Sequence, residues 1–274
     1  MFDSIAGDYD SLNHILSLDV DKIWRKKALK QIVDAPAPAR VLDLACGTGD
    51  FSIAIAKALS RSHKRVGTPI EAHVKAPAKV PVEAPAKVPV EAQVTSTGFV
   101  TGDSGRPDLM TKGHVTGVDL SEGMLAVMRE KVAKAGLTEM ISIEEGDGEN
   151  LRFPDNTFDR VTIAFGIRNF ENREKGLREM LRVLKPGGRL VILELSRPEN
   201  KVIRWFYDLY FLHILPKIGG KVSGDKAAYA YLPASVAAFP GKKAFMATMR
   251  EAGFRAVTHK AFTLGICRMY TGEK

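Results

Sequence analysis

At 274 residues, 45% of them apolar and 26% charged, the chain has the composition of an ordinary globular domain with a sizeable core. Two cysteines, Cys46 and Cys267, are too few for a disulfide framework and lack the paired Cys/His spacing of a zinc site, so a reducing cytoplasmic setting without metal is expected. A net charge of +8 allows attraction to nucleic acid, anionic lipid or an anionic substrate without choosing among them.

The opening MFDSIAGDYD carries three aspartates and neither a basic leader nor a long apolar run, which predicts no signal peptide. ARVLDLA (39–45) reads as a strand and DFSIAIAKAL (50–59) as a helix. Then composition shifts. APAKVPVE at 76–83 recurs letter for letter at 84–91, inside a tract (61–113) rich in Pro, Ala, Lys, Val and Glu. Proline at that density blocks helix, and few large apolar side chains remain to offset ordering entropy. A disordered, partly polyproline-II insertion is expected within a single domain spanning 1–274, because loop closure penalises long insertions only weakly.

Beyond it, HVTGVDL (114–120) reads as a strand, and Ser121 caps a helix closed by Gly136. MISIEEGD (140–147) and FDRVTIAF (158–165) are further strands. A helix bearing Leu177, Met180, Leu181 and Leu184 ends at KPGG (185–188), and RLVILELS (189–196) follows as a strand. FRAVTHKAFTLGICRMYTG (254–272) holds two β-rich runs broken at Thr263-Leu264-Gly265, the pattern of a terminal hairpin. Strands alternating with helices predict an α/β fold with a mainly parallel sheet, and the antiparallel end resembles the seven-stranded, Rossmann-like fold of class I methyltransferases. The longest apolar stretches fall far short of the roughly 20 residues that cross a bilayer, which limits expected membrane contact to the periphery.

The turn in VLDLACGTGD (41–50) resembles a nucleotide loop, yet Ser52 stands where the dinucleotide fingerprint needs its third glycine. Pyrophosphate wants unopposed backbone donors at a helix start. Here Asp43 precedes the turn and Asp50 ends it, around Gly47 and Gly49, which suits a cationic, phosphate-free ligand. S-adenosylmethionine has that character. Its ribose calls for an acid at the end of the next strand, and Asp119 lies about 17 positions past Gly49 once the insertion is set aside, close to the roughly 20 expected. Asp147 would take the adenine amino group, with Gly148 leaving room for the ring. Each aspartate alone is more often a cap or turn residue; the ordered set on successive strand ends reverses those odds. Cys46 reads as a small turn residue rather than a reactive thiol.

YDSLNHILSLDVDKIWRKK (9–27), VLDLACGTGD (41–50), GDGENLRFPDNTFDRVTIAFGIRNF (146–170), RVLKPGGRLVILELS (182–196) and DLYFLHILPKIGGKVSGDKAAYAYLPASV (208–236) closely resemble the quinone-biosynthesis C-methyltransferases. The resemblance implies S-adenosylmethionine contacts at Thr48, Asp119, Asp147, Gly148 and near Ala164. Relatives often have Ala where Gly148 stands and a hydroxyl residue where Ala164 stands, so a side-chain hydrogen bond is missing here. It further implies Tyr9, Arg168 and Asn169 around a polyprenylated quinol, with demethylmenaquinol favoured over a benzoquinol.

C-methylation of such a ring requires one hydroxyl to lose its proton and push charge onto the neighbouring carbon. Arginine stays protonated in proteins, which makes Arg168 an oxyanion clamp or holder of a water rather than the base; its competing role is a surface salt bridge with Glu171 or Glu174. His14 and His213 rank below it as bases. The segment 198–236 is expected to cover the substrate. Within RWFYDLYFLHILPKI (204–218), Trp205, Phe206, Tyr210, Phe211 and Ile214 fall near helical spacing, with Lys201, Arg204, Lys217 and Lys221 flanking them; a peripheral membrane contact and ordinary core packing fit that pattern equally. A homodimer is compatible with the sequence. A nucleic-acid methyltransferase is the rival class, but AFGIRNF replaces the Asn/Asp-Pro-Pro-aromatic element that would clamp a flipped base, so no nucleic-acid partner is expected.

Overall fold

The computed structural model describes residues 19–35, 39–66, 113–210 and 226–274, with backbone alone at 62–66 and 226–230. Tyr9, His14, His213, most of the 61–113 tract and the centre of the 198–236 segment lie outside the described residues.

Helix α1 (Val20–Ile32) precedes β1 (Arg40–Leu44), α2 (Asp50–Val66), β2 (His114–Asp119), α3 (Glu122–Lys134), β3 (Ile141–Glu145) and β4 (Phe158–Ala164). A 3₁₀ turn (Ile167–Asn169), α4 (Arg173–Val183) and β5 (Leu184–Leu195) follow. Then come α5 (Lys201–Leu209), α6 (Lys226–Ala238), α7 (Lys242–Glu251), β6 (Arg255–Phe262) and β7 (Cys267–Glu273). The seven strands order as β3-β2-β1-β4-β5-β7-β6, parallel from β3 to β5, with β7 antiparallel to both neighbours. The expected sheet and terminal hairpin are both present.

Side-chain alternation along the strands builds two cores. Leu42, Leu44, Leu190 and Ile192 pack with Leu177 and Met180 of α4 and Phe245 and Met249 of α7. Val41, Val191 and Leu193 face the other way, toward Trp24 and Ile32 of α1, Ile55 of α2 and Met128 of α3. Ser121 caps α3 by accepting from the Met124 amide (3.2 Å), and Gly136 beyond its end takes a left-handed φ of 65°.

Two boundaries differ from the sequence reading. Helix α2 continues to Val66, past Leu59 and into the first residues of the expected insertion. KPGG is not a free turn: Leu184 already pairs with Phe158, the register shifts before Arg189 meets Arg160, and Gly187 and Gly188 exchange backbone bonds with Lys274. The chain's last residue thereby holds an excursion that Pro186 and Gly187 would otherwise leave loose. Among the described residues no helix is long and apolar enough to cross a membrane.

Candidate active site

The parallel strands all end on one edge, and the strand order reverses direction at β1, the switch point where open α/β sheets bind ligands. The ends of β1 and β4 form a cleft there, lined by Asp43, Gly47, Thr48, Ala164 and, unforeseen, Arg25 and Phe165. Ala45 (φ 49°) and Phe165 (φ 62°) are both left-handed, a conformation costly for residues with side chains and commonest where a site demands it. Gly166 permits the two turns to approach: a Cβ there would lie 2.5 Å from that of Ala45.

The glycine turn is held by the acid expected to bind ribose. Asp119 Oδ2 accepts from the Gly47 amide (2.8 Å) and Oδ1 from the Ser121 amide (3.0 Å). Its carboxylate is thus fixed at the rim of the turn. Gly49 (φ +83°) has no room for a side chain, since a Cβ would fall 2.4 Å from Met128 Cγ. Asp43 is buried and accepts from Ser52 Oγ at 2.6 Å; burial pushes its carboxyl up to about 7, with Ser52 and Arg25 opposing the rise. Ser52, which breaks the dinucleotide pattern, therefore serves this acid.

Asp50 does not offer the cleft an uncompensated charge. Lys131 grips its Oδ1 and Arg25 reaches its Oδ2 at 3.3 Å. Lys131 Nζ also donates to Thr48 Oγ1 (3.3 Å), which turns that hydroxyl toward α3. Burial drives the Cys46 thiol pKa well up, and its sulfur lies 3.5 Å from Met128 Sδ, consistent with an inert turn residue.

One strand over, the Gly146 amide bonds Asp119 O (3.0 Å), placing Asp147 next along the rim. Asp147 is exposed, and its Oδ1 accepts from the Glu149 amide (2.8 Å). Gly148 departs from expectation: the space its side chain would fill holds the Phe170 ring, 2.6 Å from an added Cβ, so packing accounts for the glycine.

Arg168 and Asn169 follow β4 on the 3₁₀ turn. The expected rival partners of Arg168, Glu171 and Glu174, are not the ones it takes. Its guanidinium is buried against Glu194, with Nη1–Oε1 at 3.0 Å, while Oε2 accepts the Arg168 amide at 3.0 Å. Nη1 also caps Phe165 O, Nε donates to Ser235 Oγ (3.3 Å), and Nη2 has no partner among the described residues. Tyr231 Oη donates to Asn169 Oδ1 (2.9 Å). Tyr207 of α5 is buried close enough for Arg168 to oppose the upward pKa shift that burial gives its phenol.

Sequence reasoning missed Arg25, Phe165, Glu194, Tyr231 and Ser235. Glu194 did leave a signal, as the one acid inside the apolar run RLVILEL, since a buried carboxylate needs a cation or several donors. Two of the three aromatics of α5 are not core: Trp205 and Phe206 are 61% and 60% exposed, stacked edge-on at 4.8 Å, while Tyr207 is buried.

The ubiE/COQ5 methyltransferase family model matches residues 1–274. A Geobacter sulfurreducens protein named ubiquinone/menaquinone biosynthesis C-methyltransferase UbiE is 42% identical, across all of this chain and 87% of its own length. Demethylmenaquinone methyltransferases of Bacteroides fragilis and Deinococcus radiodurans are 38% and 39% identical, each over all of this chain and 91% of theirs. A SAM-dependent methyltransferase from Aquifex aeolicus shares the fold at a TM-score of 0.52 and 18% identity, over 90% of this chain and 88% of that one. A putative S-adenosyl-L-methionine-dependent methyltransferase of Methanococcus maripaludis does so at 0.57 and 16%, over 100% and 94%.

Proposed function

This chain belongs to the ubiE/COQ5 methyltransferase family and is a C-methyltransferase dependent on S-adenosylmethionine, and from that premise we propose that it methylates demethylmenaquinol to menaquinol. The observation that carries the site assignment is Asp119 bonded to the Gly47 amide, which sets a carboxylate at the rim of a phosphate-unfriendly glycine turn.

The donor set suits the group. S-adenosylmethionine, when bound, supplies an electrophilic methyl on a sulfonium. Asp119 accepts the ribose hydroxyls, and Asp147 takes the adenine amine with Oδ2, since Oδ1 is used within its own turn. Asp43, its carboxyl raised to about 7 by burial, supplies negative charge near the cationic end once it releases its proton, while Gly47, Thr48 and Gly49 supply close backbone and Ala164 an apolar wall. Gly148 contributes through its backbone, because Phe170 fills its side-chain space.

On the acceptor side, Arg168 and Asn169 hold the quinol oxyanion through N–H donors; Tyr9, outside the described residues, is the third residue the family resemblance assigns to the ring. Neutralised by Glu194 yet permanently protonated, Arg168 stabilises the anion or orients a water and takes no proton itself. Alignment of carbon and methyl, together with this stabilisation, provides most of the acceleration. Labelled methyl donor given with reduced demethylmenaquinone or a reduced benzoquinone precursor, with products read by mass spectrometry, tests the reading. Methyl transfer to the naphthoquinol is the expected result; transfer to neither ring overturns the substrate class, and transfer to the benzoquinol alone moves the enzyme to ubiquinone biosynthesis.

The exposed face of α5 supports peripheral binding at the inner face of the membrane, where a polyprenylated acceptor resides. Val202, Trp205 and Phe206 present contiguous apolar surface beside exposed Lys201. Arg204 is turned inward onto Pro198 O and Glu199 O and adds no headgroup contact. Flotation with anionic vesicles is expected for the parent and lost on Trp205→Ser/Phe206→Ser; a parent that does not float sinks the membrane assignment.

A further inference from the structure

Building on the assignment of Arg168 and Asn169 to the acceptor, we propose that Tyr231 and Ser235 are positioning residues, a two-point latch through which α6 aims the donors of the 3₁₀ turn at the quinol oxyanion. The turn needs outside support. It spans three residues, its N-cap Gly166 offers no side-chain bond, and its own backbone contributes two bonds, the Asn169 amide to Gly166 O at 3.0 Å and the Phe170 amide to Ile167 O at 3.3 Å. From the sheet side Glu194 anchors Arg168. From the other side come two α6 residues four positions apart, and so on one helix face: Tyr231 to Asn169 Oδ1 at 2.9 Å, and Ser235 accepting from Arg168 Nε at 3.3 Å.

Each contact selects an orientation the chemistry requires. A guanidinium is planar, so bonds at Nη1 and Nε together fix its plane and leave the Nη2 edge in one direction. Ser235 is itself set by donating to Leu232 O (2.9 Å), so that its lone pairs face the arginine. With its Oδ1 receiving the Tyr231 phenol, Asn169 keeps its amide nitrogen, rather than its oxygen, as the end that donates elsewhere. Rotation of the amide by half a turn would put an oxygen toward the oxyanion and replace attraction by repulsion.

The test uses full-length Tyr231→Phe, Ser235→Ala, the double variant and Ser235→Thr, beside Arg168→Lys and Asn169→Ala. Loss of either latch bond is expected to lower kcat roughly five- to tenfold, the effect of one hydrogen bond to a charged or oriented donor, with the KM for the methyl donor within about twofold. The rising limb of kcat against pH should move upward, because a misaimed clamp no longer favours the ionised quinol. Ser235→Thr, which keeps the hydroxyl, should restore both readouts. Parent-like kcat in Tyr231→Phe and Ser235→Ala, with Arg168→Lys and Asn169→Ala impaired, overturns the latch and leaves the acceptor site standing. Parent-like Arg168→Lys and Asn169→Ala overturn the acceptor assignment itself. A kcat loss uniform across pH and matched by weaker donor binding shows a structural role and also refutes the latch.

Discussion

Asp119 accepts the Gly47 and Ser121 amides, which shape the glycine turn, and under the proposed function the same carboxylate receives the ribose hydroxyls. Asp119→Asn keeps the shape but replaces one oxygen by a donor that cannot accept, facing either an amide or a sugar hydroxyl. Donor affinity is expected to fall about 10- to 100-fold, the equivalent of about 1.5–3 kcal/mol for hydrogen bonds to a charged acceptor, and calorimetric titration reads it. An unchanged affinity would place the ribose elsewhere. Glu194 lies wholly buried beneath Arg168, so its loss is felt differently. Glu194→Gln strands a buried guanidinium, and urea unfolding should show a loss of about 3–5 kcal/mol, as for other broken buried pairs. The parallel expectation for Glu171→Gln or Glu174→Gln is parent-like stability, since neither touches Arg168.

At the scale of elements, the glycine turn is where α2, α3 and β1 meet, and Gly49 is its tightest point. Gly49→Ala must place a side chain at φ +83° and against Met128 Cγ, so backbone strain and overpacking add. A destabilisation of about 2–4 kcal/mol is expected, visible as a lower melting temperature with and without donor. The elements that were readable in the sequence share a trait: their signals are local. The glycine turn, the Ser121 cap and the hairpin break at Thr263–Gly265 each depend on residues within a few positions of one another. Asp119 was placed beside the turn by its spacing along the chain, and the structure sets its carboxylate on the Gly47 amide. What escaped is long-range. Glu194 reaches Arg168 across 26 positions and Ser235 across 67, and Lys131 reaches Asp50 across 81. Periodicity cannot report such pairings, because it gives the face a side chain occupies and not the neighbour that the fold delivers. For the same reason Asp50 looked available for a cation, and Glu171 and Glu174 looked like the natural partners of Arg168.

Over the whole molecule, one buried acid ties folding to pH and, under the proposed function, donor binding as well. The Asp43 carboxyl rises from its ordinary value of 3.8 to about 7, chiefly through burial. Its folded pKa exceeds the unfolded one, so between those values the folded protein retains a proton that the unfolded chain has released. The resulting contribution to stability is fully present below about pH 4, declines as pH rises, and is gone once pH passes about 7. Under the proposed function donor binding runs the other way, since a cationic ligand over Asp43 would favour the charged carboxylate and expel the proton. Below pH 7 the Kd for S-adenosylmethionine is therefore expected to rise about tenfold per pH unit, with close to one proton released per molecule bound. Calorimetry at pH 6 in two buffers of different ionisation enthalpy measures that proton directly. Asp43→Asn should abolish both the release and the pH slope while raising stability near pH 8, where the parent bears a buried charge. A pH-independent Kd between 5.5 and 7 would mean that Asp43 is already ionised in the free protein, and that the Ser52 and Arg25 contacts outweigh its burial.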